Sequence, residues 1–275
     1  MKTRLFPLLL WLSSLLLLLS ACGGASAATS NTTPSSAPVS LNIFAAASLT
    51  RAFTVIEANY TKLHPSVTFK ADYDSSSTLE QQIANGAAAD VFASADTTNM
   101  QKAITAGLVT SAQIFARNRL VVILPASNPG HIATLKDLAR SGVKIDVAAA
   151  TVPVGKYTLQ VLANMTRSPD YGPAYVVAVT KNVVSKEEND AAIVQKVQLG
   201  EVDAGVVYVS DINPATAAQF TSITIPDDLN VIASYPLAAL KNSAHGSEAQ
   251  AFVQYVLSPA GQAVLKQYNF IPANP

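Results

Sequence analysis

The stretch Leu41–Thr50, LNIFAAASLT, restricts the fold more than any other part of the chain. It is apolar from Leu41 to Ala47 except at Asn42, and reaches Ser48. A helical spacing of apolar residues then starts at once with Leu49, Ala52, Phe53, Ile56 and Tyr60. A buried parallel strand reads as a nearly continuous apolar run, and a strand feeding a helix is the first half of a βαβ unit. Ser48 stands where an N-cap hydroxyl belongs. The first backbone N–H groups of a helix have no partner and lie at the positive end of its dipole, so such a turn suits an anion.

The arrangement recurs. Val67–Tyr73 alternates as a strand and runs into Asp74-Ser75-Ser76-Ser77-Thr78, then a helix that stops at Gly86. Asp90–Ser94 predicts a strand, Thr98–Ala106 a helix and Leu120–Leu124 a strand. After Pro125 come a short helix over Leu135–Arg140, a strand over Lys144–Ala149 and a long helix over Tyr157–Met165. Tyr175–Thr180 reads as a strand, Asn189–Leu199 as a helix and Ala204–Tyr208 as a strand. Ile223–Ile225, Val231–Ile232 and Tyr235–Leu240 read as extended, and two helices close the chain, the second opened by Pro259. This is an α/β chain of two halves, each a mostly parallel sheet flanked by helices. The expected lobes are 39–119 with 236–275, and 120–235, joined by a hinge near 117–124 and 230–238.

The first residues belong to neither lobe. Lys2 and Arg4 precede an apolar segment, and Leu19-Ser20-Ala21-Cys22 ends it, which is the order of a secretory signal over 1–22. The tetrapeptide resembles the bacterial lipobox, which implies lipidation at Cys22, the single cysteine of the 275 residues. Residues 23–38 are rich in Ala, Ser, Thr and Pro and uncharged, and predict a flexible tether. Removing Lys2 and Arg4 from eighteen basic residues, against eighteen acidic, leaves the remainder two charges negative. That balance gives no footing for nucleic acid. Anchor, tether and body together predict an extracytoplasmic protein held at the cell membrane.

In open α/β sheets ligands sit outside the carboxyl ends of the strands. Four helix starts qualify: Ser48, Ser75 to Ser77, Thr151 to Gly155, and Asn189-Asp190. Tyr208, ending a strand, adds a phenolic hydroxyl. The Ser turns contain no Lys or Arg. Neutral donors at helix starts suit a small, fully ionised oxyanion, each charge-assisted hydrogen bond contributing ~1.5–3 kcal/mol.

The motifs FAAASL, SSSTL, ADVFASAD, PVGKY and GVVYVSD, in that order, resemble the molybdate-binding proteins of ABC uptake systems, which have the type II periplasmic binding-protein fold. The resemblance covers roughly residues 39–272 and implies two lobes closing on a tetrahedral oxyanion, molybdate or tungstate, for delivery to the transmembrane subunits of an ABC permease. By motif it implies side-chain and backbone donors at Ser48 and Ser76, a backbone donor at Val154, the hydroxyl of Tyr208 and a backbone donor at Asp190. It implies a monomer with no cofactor, whose only metal is the one inside the oxyanion. Asp190 departs from the family's usual apolar residue. A carboxylate aimed at a dianion would cost affinity, so the expectation is that Asp190 turns aside and caps its own helix. An inward Asp190 would restore hydrogen phosphate as a ligand, and sulfate differs in size. Lys156 reads as a solvated lysine or an anion-steering one.

Catalysis finds little support. A secreted serine hydrolase would need a G-x-S-x-G elbow, which is absent, and the three histidines, His64, His131 and His245, fall in turn-like or helix-flanking settings. One cysteine and scattered histidines offer no zinc set.

Overall fold

The structure is a computed structural model describing residues 37–212 and 217–273. The signal, Cys22 and the tether through residue 36 lie outside the described residues. The opening unit is β1 (Val39–Ala46), a 3-10 turn over Ala47–Leu49, and α1 (Thr50–Leu63). β2 (Val67–Asp74) with α2 (Ser76–Ala84), then β3 (Val91–Ala93) with α3 (Thr97–Thr105), repeat it. β4 (Gln113–Asn118) and β5 (Leu120–Pro125) follow, separated only by Arg119. A 3-10 turn over Leu135–Ala139 precedes β6 (Ile145–Ala148), α4 (Pro153–Arg167) and α5 (Gly172–Lys181). Next come β7 (Val183–Glu187), α6 (Asp190–Leu199), β8 (Ala204–Tyr208) and β9 (Phe220–Thr224). β10 (Ala233–Ala239), α7 (Gly246–Leu257), α8 (Pro259–Gln267) and β11 (Ile271–Pro272) end the described chain.

The strands form two sheets, one ordered β11-β4-β10-β3-β1-β2 and one ordered β7-β6-β8-β5-β9. Strands that feed helices run parallel: β1 with β2 and β3, and β6 with β7 and β8. The expectation of mostly parallel sheets describes those strands alone. β10 runs antiparallel to β3 and β4, and β5 antiparallel to β8 and β9, so each sheet is mixed. The chain leaves the first lobe by β4 into β5 and returns by β10, and these crossing strands run against their neighbours. The boundary expected at 235/236 falls inside β10, whose first residue, Ala233, pairs with Asn118 of β4.

One element differs in kind. Tyr175–Thr180 is not a strand but part of α5. Short apolar, β-branched runs do not separate strand from buried helix by periodicity. Here Pro173 in the first turn favours a helix start, and the helix packs on α4, with the Tyr175 hydroxyl donating to the Leu135 carbonyl at 2.6 Å. The strand that pairs with β6 is the next segment, Val183–Glu187, which reads as polar.

Packing fixes where helix starts point. An added Cβ at Gly205 on β8 would lie 2.6 Å from Ile193 and 2.8 Å from Val197, so α6 rides directly on the strand backbone. At Gly155, in the first turn of α4, it would lie 2.1 Å from the Ala149 carbonyl oxygen. Only glycine lets that helix start close against the end of β6. Edge-on rings of Phe53, Phe115 and Phe252 fill the core of the first lobe, at centroid separations of 5.8 and 6.3 Å.

Candidate functional site

Ser48 is buried at the middle of the 3-10 turn after β1, and it is not a helix cap. Its hydroxyl instead meets the Tyr235 hydroxyl at 3.0 Å. Tyr235, fully buried on β10, also accepts from the Asn118 amide at 3.4 Å, and the same amide donates to Ser210 Oγ at 2.8 Å. Asn118 ends β4, so this network sits where the chain crosses between sheets.

Ser76 is the first residue of α2, and Ser75 before it is the true N-cap, accepting from the Thr78 N–H. Buried Ser76 Oγ accepts from the Ala95 N–H at 2.8 Å. A hydroxyl that accepts still has its own proton to donate. Val154 is the buried second residue of α4, with Pro153 first. At that position a backbone N–H has no intrahelical acceptor. Tyr208 ends β8 and is 1 % exposed, yet its hydroxyl is buried with no partner in the structure. Its ring meets that of Tyr235 edge-on at 5.7 Å. Burial pushes both phenols well above their ordinary pKa, with Asp190 adding to it, so both stay protonated donors.

Asp190 corrects the expectation set for it. Asn189 caps α6, its side-chain oxygen accepting from the Ala192 N–H at 3.0 Å, while Asp190 occupies the first helical position. Asp190 is 5 % exposed, and its Oδ2 is buried without a partner. It hydrogen-bonds with Asp211, whose Oδ2 accepts from the Tyr208 N–H at 2.9 Å. Burial pushes the Asp190 carboxyl up to about 6, against its own backbone N–H and Asp211, with Asp74 adding to the rise. Burial, then the Asp190 charge, drives Asp211 well above the carboxylate range.

Further contacts bridge the two sheets. The Asn189 amide donates to Asp74 Oδ1 at 2.9 Å, joining the start of α6 to the end of β2. Lys156 on α4 reaches Asp96 Oδ2 at 3.4 Å and the Thr98 hydroxyl, both at the start of α3. The Tyr157 hydroxyl faces the backbone of Ser234 on β10. Lys156 is therefore neither simply solvated nor aimed at a ligand. It clasps the opposite lobe. A groove of about 740 Å³ between α1 and α6 reaches Ser48 and Asp211 and carries Arg51 on its wall.

Ser48, Tyr208 and Asp190 thus converge through Tyr235 and Asp211. Ser76 and Val154 stand at helix starts in opposite lobes, and the Lys156 clasp joins the two sides. Sequence reasoning did not single out Tyr235, Asn118 or Asp211. Asn118, flanked by Arg117 and Arg119, carried no distinguishing signal, and neither did Tyr235.

Two α/β lobes joined by crossing strands, with helix starts at the strand ends and contacts bridging the sheets, have the architecture of a two-lobed binding protein. The chain belongs to the bacterial extracellular solute-binding proteins, whose family model matches residues 41–271. Over 238 residues it is 35% identical to the molybdate-binding protein ModA of Mycobacterium tuberculosis, covering 86% of each chain. In fold it is similar to the periplasmic molybdate-binding protein of Azotobacter vinelandii (TM-score 0.72, 21% identity, 84% of this chain and 98% of that one). It is also similar to the sulfate-binding protein SubI of M. tuberculosis (TM-score 0.75, 21% identity, 86% and 88%). The fold is the two-lobed type II periplasmic binding-protein fold, as the motifs led one to expect.

Proposed function

We propose that this protein captures molybdate, or the near-identical tungstate, between its lobes and delivers it to the transmembrane subunits of an ABC permease. The observation that carries the oxyanion reading is the buried, unpartnered hydroxyl of Tyr208, beside the Ser48–Tyr235 pair and Asp190. A buried hydroxyl without a partner costs about 1–3 kcal/mol, which a ligand oxygen would offset. The choice of molybdate rests on the likeness to the M. tuberculosis protein. Ser48, Ser76 and Tyr208 donate from side chains, and Val154 and Asp190 from backbone N–H groups. The metal arrives only inside the oxyanion, and the protein acts as a monomer, by binding and not by turnover. The lobes open by bending near 117–124 and 230–238. Titration calorimetry against molybdate, tungstate, sulfate and phosphate tests this reading, and no heat with molybdate would sink it.

Hydrogen phosphate is the second reading, favoured by one observation: the buried Asp190 Oδ2 could accept its proton. Ser76→Ala is expected to weaken molybdate binding by roughly 1–3 kcal/mol. Unchanged affinity would make Ser76 an ordinary turn residue. We also propose that a lipid on Cys22 holds the protein at the outer face of the cell membrane. On fractionation, Cys22→Ala should move the protein from membrane to soluble fraction with ligand affinity intact, and retention at the membrane would refute the anchor.

A further inference from the structure

We infer that Asp190 and Asp211 form a proton-holding pair in the cleft, and that a fully ionised oxyanion binds together with one proton, taken up so that Asp190 Oδ2 becomes a hydrogen-bond donor to the ligand. This rests on the oxyanion reading above. Two independent observations support it: Asp190 Oδ2 is buried and unpartnered, and so is the Tyr208 hydroxyl nearby. Asp190 and Asp211 hydrogen-bond to each other, which two buried carboxylates do only by sharing a proton. The pair then carries one negative charge. A dianion placed against the free Oδ2 meets repulsion in a water-poor site, and protonation there turns the repulsion into a hydrogen bond.

Charged and titratable groups face the pair from several elements. From β2, Asp74 faces Asp190 and adds to its difficulty. From β8 and β10 come the neutral phenols Tyr208 and Tyr235, and Asp96 acts on Tyr208 from the start of α3. Lys156 is engaged with Asp96 and Thr98, and Arg51 acts on Asp211 only as the weakest of its influences. From β6 and β7, Asp146 and Glu187 lie together near Lys196, which is ion-paired to Glu187 at 2.6 Å. Among the described residues no group of three or more His, Cys, Asp or Glu could hold a metal ion.

The sign follows from linkage. The ligand favours the protonated pair, so the bound carboxyl is the weaker acid. Burial already raises the free carboxyl's pKa and the ligand raises it further, so affinity falls as pH rises above the free value, by up to tenfold per pH unit. The test is molybdate calorimetry on the full chain between about pH 7 and 8.5, in buffers of different ionisation enthalpy. Molybdate is itself fully ionised there, so any proton taken up goes to the protein. The expected result is close to one proton absorbed per molybdate, with affinity falling up to tenfold per unit. Asp190→Asn keeps a donor without a charge; it should lose both effects and bind more than tenfold tighter than wild type at pH 8.5. Molybdate binding with no proton uptake and a flat profile would overturn the inference while leaving the oxyanion reading intact. No molybdate heat at any pH would overturn both. If the variant fails to fold, the wild-type proton count decides alone.

Discussion

Molybdate at about a thousand times its dissociation constant will raise the unfolding free energy by about 4 kcal/mol, since it binds the folded state alone. For a body of this size that corresponds to a rise in melting temperature of roughly 8–16 °C. The physical source is the unfinished hydrogen bonding of the cleft, chiefly the Tyr208 hydroxyl and the helix-start N–H groups, which the ligand completes. Chloride at equal ionic strength should leave the midpoint where it was. Differential scanning calorimetry with and without molybdate is the measurement, and an unmoved midpoint in millimolar molybdate would count against the assignment. An equal shift with hydrogen phosphate would transfer it to a protonated oxyanion.

Removing the Tyr235 ring should be the most damaging substitution near the site. Tyr235 is fully buried, and its ring packs edge-on against Phe115, Tyr208 and Phe270 at 6.4, 5.7 and 5.4 Å. Tyr235→Ala opens a cavity where β10 enters the first sheet, for an expected loss of about 3–5 kcal/mol in denaturant unfolding. Tyr235→Phe keeps the packing and deletes only the hydroxyl that holds Ser48 and receives Asn118. Its stability loss should be small, with molybdate affinity reduced by roughly 0.5–1.5 kcal/mol through a less constrained Ser48. If the Phe variant bound ligand as well as wild type, Tyr235 would be a packing residue with no part in positioning Ser48.

Much of this was legible locally. Each strand-to-helix turn announces itself by a change of period from apolar run to helical spacing, and the chemistry of a helix start comes with the turn. Ser48 and the turns at Ser75 to Ser77, Thr151 to Gly155 and Asn189-Asp190 could therefore be located from a few neighbouring residues each, while the choice of Ser76, Val154 and Asp190 within them came from the family resemblance. Local rules were weaker where two residues compete for one role. Either Asn189 or Asp190 could cap α6. Asn189 does so from extended backbone at φ −158°, which places Asp190 inside the helix with its carboxyl unused for capping.

The sequence by itself determined the strand–helix alternation, the placing of helix starts at strand ends and the absence of basic residues from the Ser turns, because these depend on periodicity and on groups a few residues apart. Tertiary structure alone decided that residues 175–180 form a helix while Val183–Glu187 extends beside β6, since short apolar runs suit either state until a neighbour claims an edge. It also decided what Ser48 does with its hydroxyl, through a partner 187 residues away, and that Lys156 clasps the opposite lobe. Burial completed the work at Asp190 and Asp211: whether a carboxyl is charged depends on the water and charges around it, and distant segments supply those only once they have packed.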